Sequence, residues 1–457
     1  MNDAFSPENP APEPLTSHAP GPLRGCVQAP GDKSISHRAL MFGLLAAGET
    51  RITGLLEGED VMRTAAAIRS LGGAAARLGP GEWRVDGVGV GGVRPPEDVL
   101  YMGNSGTSAR LLMGLVAGHP VTATFSGDAS LSRRPMARVV EPLRRMGAQF
   151  VGREGDRLPL TLTGADPVMP ISYSLPVASA QIKSAILLAG LNSRGETTVI
   201  EPEPTRDHTE IMLRHMGAAI TTEDMPGGGR RIRLQGQPEL RATDFQVSGD
   251  PSSAAFVLVA ALITPGSRVS VCNVGVNPLR TGLLDCLREM GADLSLENIR
   301  VQGGEPTADI FVSASALRGI SPPASRAPAM IDEYPILAIA AACAEGRTEL
   351  RGLAELRVKE SDRLAAIAAG LTACGVAVQE LPDGLIIEGR GGQARPIPGG
   401  ARVATHMDHR IAMSFLVAGL AAQRPVTVDD GSMINTSFPG FRELMGGLGA
   451  SIENAPG

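Results

Sequence analysis

The sequence predicts an α/β fold of two similar domains, each built from three copies of one unit. Three observations predict it. Glycine ends an amphipathic helix six times, at Gly72, Gly147, Gly217, Gly291, Gly375 and Gly449, with intervals of 75, 70, 74, 84 and 74 residues. A second helix, small and almost wholly apolar, recurs once per interval. Short alternating or β-branched runs follow both helix types.

Each element has its own warrant. Glycine just past a helix supplies the left-handed cap, as in Met146-Gly147-Ala148 and Met290-Gly291-Ala292. The alternating run Ala292-Asp293-Leu294-Ser295-Leu296 then reads as a strand. The apolar helices cover residues 39–47, 111–117, 185–191, 254–263, 336–344 and 411–422. A helix apolar all round is buried. A period near 75 is too long for a simple solenoid, and 457 residues exceed what one core serves, so six units divide into two domains. The expected division is residues 31–246 for the first domain, with 23–30 plus 247–457 for the second. Pro30-Gly31 and 245–250 are the crossing points. Residues 1–22, proline-rich and poor in large apolar groups, read as a disordered tail.

Composition excludes several classes. Aromatic residues make up 3% of the chain and Trp83 is its single tryptophan, so no platform exists for stacking bases. The net charge of −6 attracts no polyanion. No nucleic-acid partner is expected. No apolar run approaches the ~18 residues of a membrane span. Cys26, Cys272, Cys286, Cys343 and Cys374 show no C-x-x-C spacing and read as reduced, buried thiols in a cytoplasmic protein. Thr405-His406-Met407-Asp408-His409 is the nearest approach to a metal site and is too short of ligands. No dinucleotide fingerprint or Walker motif is present. No metal and no cofactor are expected.

The cations are distributed unevenly. The chain has 39 arginines and three lysines: Lys33, Lys183 and Lys359. Each lysine sits in a polar cluster: Gly31-Asp32-Lys33-Ser34, Ser179-Ala180-Gln181-Ile182-Lys183 and Arg357-Val358-Lys359-Glu360-Ser361-Asp362-Arg363. Several apolar helices also begin with cations, namely Lys33, Arg38, Arg110 and Arg410. Positive charge in a first turn opposes the helix dipole. A bound anion reverses that penalty, because helix starts offer free N–H groups. The pattern aims several helix starts at small anionic ligands. Ser252, Ser253 and Asp250 need only be N-caps. Asp332 precedes a wholly apolar helix, where burial is expected to raise its pKa, although an N-cap role fits equally. Lys359 is expected to lower the pKa of Glu360, and to share a helix face with Arg363. Two acids in contrasting surroundings make an acid–base pair.

Together these motifs resemble the EPSP synthase family, especially its class II branch, from about Leu23 to Ile452. Arg206-Asp207-His208-Thr209-Glu210 belongs to the same set. The resemblance implies the enolpyruvyl transferase inside-out barrel: two domains of three βαβαββ units, with the active site in the cleft between them. It implies transfer of the enolpyruvyl group of phosphoenolpyruvate to the 5-hydroxyl of shikimate 3-phosphate. It implies that Lys33, Ser34, Arg38, Ser179, Ala180, Gln181, Arg206, Asp332 and Lys359 hold shikimate 3-phosphate. Lys33, Asn104, Gly106, Arg134, Gln181, Arg363 and Arg410 are implied for phosphoenolpyruvate. The resemblance further implies that Asp332 takes the hydroxyl proton and that Glu360 with Lys359 handles the proton at the methylene carbon. A monomer is expected. Asn277-Pro278-Leu279-Arg280 departs from the class II pattern, so Arg280 receives no role. Thr436-Ser437-Phe438-Pro439 lacks the lysine of class I relatives. Gly106 stands where glyphosate-tolerant members carry alanine, which implies sensitivity to that inhibitor. Two alternatives stay open: an enolpyruvyl transferase for UDP-N-acetylglucosamine, whose loop cysteine is missing from residues 127–135, and a non-catalytic phosphometabolite-binding protein.

Overall fold

The computed structural model describes residues 12–18 and 21–455. Its buried side chains form two separate apolar cores. One runs from Ile35 to Val247. The other gathers Leu15, Leu23 and Ala29 with residues between Ala254 and Leu448. Three apolar helices fill each: Lys33–Leu45, Gly106–Ala117 and Ala180–Gly190 in the first, and Pro251–Ile263, Tyr334–Cys343 and His409–Leu420 in the second. In Pro251–Ile263 every residue after the proline is buried, as an all-apolar helix requires. The six glycines after the outer helices have φ between +80° and +106°, the left-handed cap that a Cβ disfavours.

Small sheets wrap these helices in a repeated order. In the first, Phe245–Gln246 lies parallel to Ala47–Thr53, which pairs antiparallel with Glu82–Val88, itself antiparallel to Ala74–Gly79. In the fourth, Arg24–Gln28 takes the leading place beside Arg268–Gly275. The chain therefore crosses between the cores twice, and each crossing lends a strand. The crossings touch: Asp32 N–H donates to the Ser248 carbonyl at 2.7 Å, and Asp250 N–H to that of Pro30 at 2.8 Å.

The last sheet corrects the expected disordered tail. Its order is Arg402–Val403, Val426–Val428, Leu15–His18, Ser451–Asn454. Leu15–His18 takes the third place in this sheet, antiparallel to both neighbours. Leu15 and Ser17 are buried. This start of the chain thus belongs with the second core. Residues 1–11 and 19–20 of the expected tail lie outside the described residues. The cysteines also need a correction. Cys286, Cys343 and Cys374 are buried, but Cys26 is exposed and Cys272 half-buried. Among the described residues no helix is long and apolar enough to cross a membrane.

Candidate active site

Between the cores lies a cleft of about 460 Å³. Lys33 opens the helix Lys33–Leu45, whose N-cap is Asp32: Ile35 N–H donates to Asp32 Oδ1 at 2.8 Å. The Lys33 ammonium pairs with Asp60. One turn on, Arg38 is fixed by donating to Thr209 Oγ1 at 2.8 Å, Ser184 Oγ at 2.7 Å and the Ser34 carbonyl at 3.0 Å. Burial pushes its guanidinium down to about 10, which still leaves it charged at neutral pH.

Gly106 begins the second apolar helix, capped by Ser105. A Cβ there would lie 3.0 Å from Arg110 Nη1 and 3.2 Å from Arg134 Nη1. Arg110 donates to Gln181 Oε1 at 2.7 Å. Ser179 caps the third helix, so that Ala180 and Gln181 face the cleft. Arg134 bonds Asn104 and reaches Glu360 Oε1 at 3.3 Å.

The second core supplies the acids. Arg206 from the first half donates to Asp332 Oδ2 at 2.8 Å, while Lys359 and Arg363 reach Oδ1 at 3.3 and 3.2 Å. Arg410 donates to the Asp332 carbonyl at 3.2 Å. Arg363 also holds Glu360 Oε2 at 2.6 Å and Asp408 Oδ2 at 2.8 Å. Burial alone would raise the Asp332 carboxyl, but Lys359, Arg206, Arg410 and Arg363 hold it well below the ordinary range. Burial likewise opposes Arg363, Arg134 and Lys359 at Glu360, and again the cations win.

Several expectations change. The pKa of Asp332 is lowered, not raised, because four cations converge where a single apolar environment was expected. Asp332 is not the N-cap; Glu333 holds that place and makes no side-chain cap bond. Lys359 precedes the helix Arg363–Ala373, which Asp362 caps, so Lys359 and Arg363 meet at Asp332 without sharing a helix face. Lys183 is fully buried between Glu201 and Glu210, away from the cleft, and serves the fold. Asn104 stands behind Arg134 and does not line the cleft; the other predicted site residues do. Asp60, Arg110 and Arg280 line it without having been assigned there. The sequence carried a signal for Arg110, a cation in a helix's first turn, and for Arg280, set aside because its motif departs from the class II pattern, but none for Asp60.

Ten lysine and arginine side chains and two clasped carboxylates, drawn from both halves, thus face one space suited to small polyanions. A model of the EPSP synthase (3-phosphoshikimate 1-carboxyvinyltransferase) family matches residues 17–445. The chain belongs to the EPSP synthase family. The 3-phosphoshikimate 1-carboxyvinyltransferase of Acidiphilium cryptum (strain JF-5) is 63% identical over 449 residues, covering 98% of this chain and 100% of its own. That of Parvibaculum lavamentivorans is 63% identical over 447 residues, with 98% of each chain covered. The solved EPSP synthase of Acinetobacter baumannii superposes with a TM-score of 0.86 at 48% identity, covering 97% of this chain and all of that one. An enolpyruvyl transferase from Streptomyces tendae, at 21% identity and a TM-score of 0.74 over 98% of this chain, shares the fold. This is the two-domain EPSP synthase architecture, with the cleft where the two cores face each other.

Proposed function

We infer that the protein transfers the enolpyruvyl group of phosphoenolpyruvate to the 5-hydroxyl of shikimate 3-phosphate and releases phosphate. The observation that carries this reading is the clasp on Asp332, made by Arg206 from one half and Lys359 and Arg363 from the other. A carboxylate kept ionised at neutral pH is a base. Asp332 takes the hydroxyl proton as the oxygen bonds to the central carbon of phosphoenolpyruvate.

The acceptor substrate is held by Lys33, Ser34, Arg38, Ser179, Ala180, Gln181 and Arg206. Phosphoenolpyruvate is held by Lys33, Gly106 backbone, Gln181, Arg134, Arg363 and Arg410, with Asn104 steadying Arg134. Glu360 must first give a proton to the methylene carbon, yet its carboxyl is held low by Arg363 and Arg134. Substrate anions that engage those arginines offset their charge and let the Glu360 pKa climb. Loading the donor substrate thereby prepares the acid. Glu360, with Lys359 beside it, then recovers the proton as phosphate leaves. Preorganised cations stabilise the charge that develops during transfer.

The moving bodies are residues 31–246 and residues 23–30 with 247–457, the latter joined by Leu15–His18. The protein acts as a cytoplasmic monomer on small anionic substrates. The test is phosphate release from phosphoenolpyruvate with and without shikimate 3-phosphate. Release that depends on shikimate 3-phosphate supports the reading. Binding of both compounds with no release would favour a non-catalytic binding protein. Release dependent on UDP-N-acetylglucosamine would favour the other acceptor.

A further inference from the structure

Arg280 is 5% exposed and lines the cleft. Its Nη1 donates to Asp32 Oδ2 at 3.0 Å and lies 3.4 Å from His208 Nε2. Its Nη2 donates to Asp250 Oδ1 at 3.2 Å and Ser252 Oγ at 2.9 Å. Each partner is attached to something that matters. Asp32 caps the helix that starts with Lys33, and Asp250 caps the helix Pro251–Ile263 by accepting from Ser252 N–H at 2.9 Å. A single guanidinium therefore ties the N-caps of two buried helices, one from each core.

The other arms reach two more site residues. His208 Nδ1 lies 2.6 Å from Glu305 Oε1, which belongs to the second core's sheet, and the segment Arg206–His208 is pinned through it. The neighbouring Asp207 accepts from Asn277 Nδ2 at 2.8 Å. The Ser252 hydroxyl donates to Glu333, which adjoins Asp332. Lys33, Arg206 and Asp332 come from three distant stretches of chain. Each stands within two residues of a group in the network around Arg280.

We propose that Arg280 is a positioning residue that sets Lys33, Arg206 and Asp332 relative to one another and so shapes the acceptor half of the cleft. It rests on the acceptor reading given above. The planar fork of arginine gives Asp32 and Asp250 separate nitrogens in a fixed geometry, which the single ammonium of a lysine does not reproduce. Of the arginines that face the donor substrate, Arg134 is held by Asn104 and Glu360, and Arg363 chiefly by Glu360 and Asp408, outside this network, while Arg363 and Arg410 touch it only through Asp332. Loss of Arg280 therefore acts more on shikimate 3-phosphate than on phosphoenolpyruvate.

The test compares wild type, Arg280→Gln, Arg280→Lys and the core variant Ile310→Ala, the last as a control for lost stability. Calorimetry measures the Kd of shikimate 3-phosphate, and steady-state kinetics gives KM for each substrate with kcat. For both Arg280 variants the expected result is a Kd and KM for shikimate 3-phosphate raised at least about tenfold, since small misplacements of positioned groups are costly. KM for phosphoenolpyruvate should shift several-fold less. Ile310→Ala should lower Tm without that split. Equal shifts in both KM values, or a Kd unchanged from wild type, overturn the proposal. A wild-type protein that does not bind shikimate 3-phosphate overturns the acceptor reading instead, and this proposal with it.

Discussion

Asp332 meets two opposed influences, burial and a ring of cations, and the cations prevail. Asp332→Asn keeps the shape and removes the base. Single-turnover and steady-state assays should show kcat lower by about 10²–10⁴-fold, the usual worth of a general base, with shikimate 3-phosphate still bound. The pH dependence of stability follows from the same shift. Asp332 and Glu360 have folded pKa values below their unfolded ones. Their contribution is complete above the ordinary carboxylate range and is lost as pH falls through the lowered values. Urea midpoints measured downward from pH 6 should decline on acidification, and less steeply in Asp332→Asn. Burial together with Arg363 and Arg206 lowers the Lys359 pKa against the pull of Asp332. The basic limb of kcat should start below the ordinary lysine range near ~10.4, and Lys359→Arg should move it upward. At Gly106 a methyl would press on Arg110 and Arg134. Gly106→Ala should raise the inhibition constant of glyphosate by about 10-fold or more, a range one methyl can reach in a fitted pocket. An unchanged constant would remove Gly106 as a determinant.

At the scale of elements, the strand Leu15–His18 is the feature most open to experiment. It lies between Val426–Val428 and Ser451–Asn454, antiparallel to both. Leu15 is 1% exposed in the second core. Leu15→Ala should cost about 2–4 kcal/mol in chemical denaturation, as buried leucine truncations do. A result near zero would mean that the strand is dispensable. The repeated helices were readable because an all-apolar stretch and a glycine stop are local signals. The strand was not readable. Four residues in a proline-rich stretch carry little local signal, and their partners lie more than 400 residues away in sequence. Lys359 illustrates the same limit at a helix start. Spacing set it on the helix of Arg363, whereas the Asp362 cap begins that helix later.

For the whole molecule, ion pairs bridge the cleft. Arg138 holds both oxygens of Glu355 at 2.9 and 3.0 Å, alongside Arg134–Glu360 and Arg206–Asp332. The Arg138–Glu355 pair is exposed and adds little to stability, but it joins the two halves that we propose hinge at the paired crossings. Substrate-driven closure of such a cleft is the expected dynamic step. Solution scattering should show Glu355→Gln with a larger radius of gyration than wild type at low salt. Both should converge once substrates are added.

By itself the sequence determined the α/β class, the six repeats, the family and nearly all of the cleft's cations, because each is written in local pattern or in motifs of a few residues. Tertiary structure alone decided which of those charges meet. It removed Lys183 to two buried ion pairs, turned Asp332 from a weakened acid into a held carboxylate, and tied Arg280 to groups beside three site residues. Charge interactions depend on distances through space, and distances between residues hundreds of positions apart exist only once the two cores have closed around the chain's crossings.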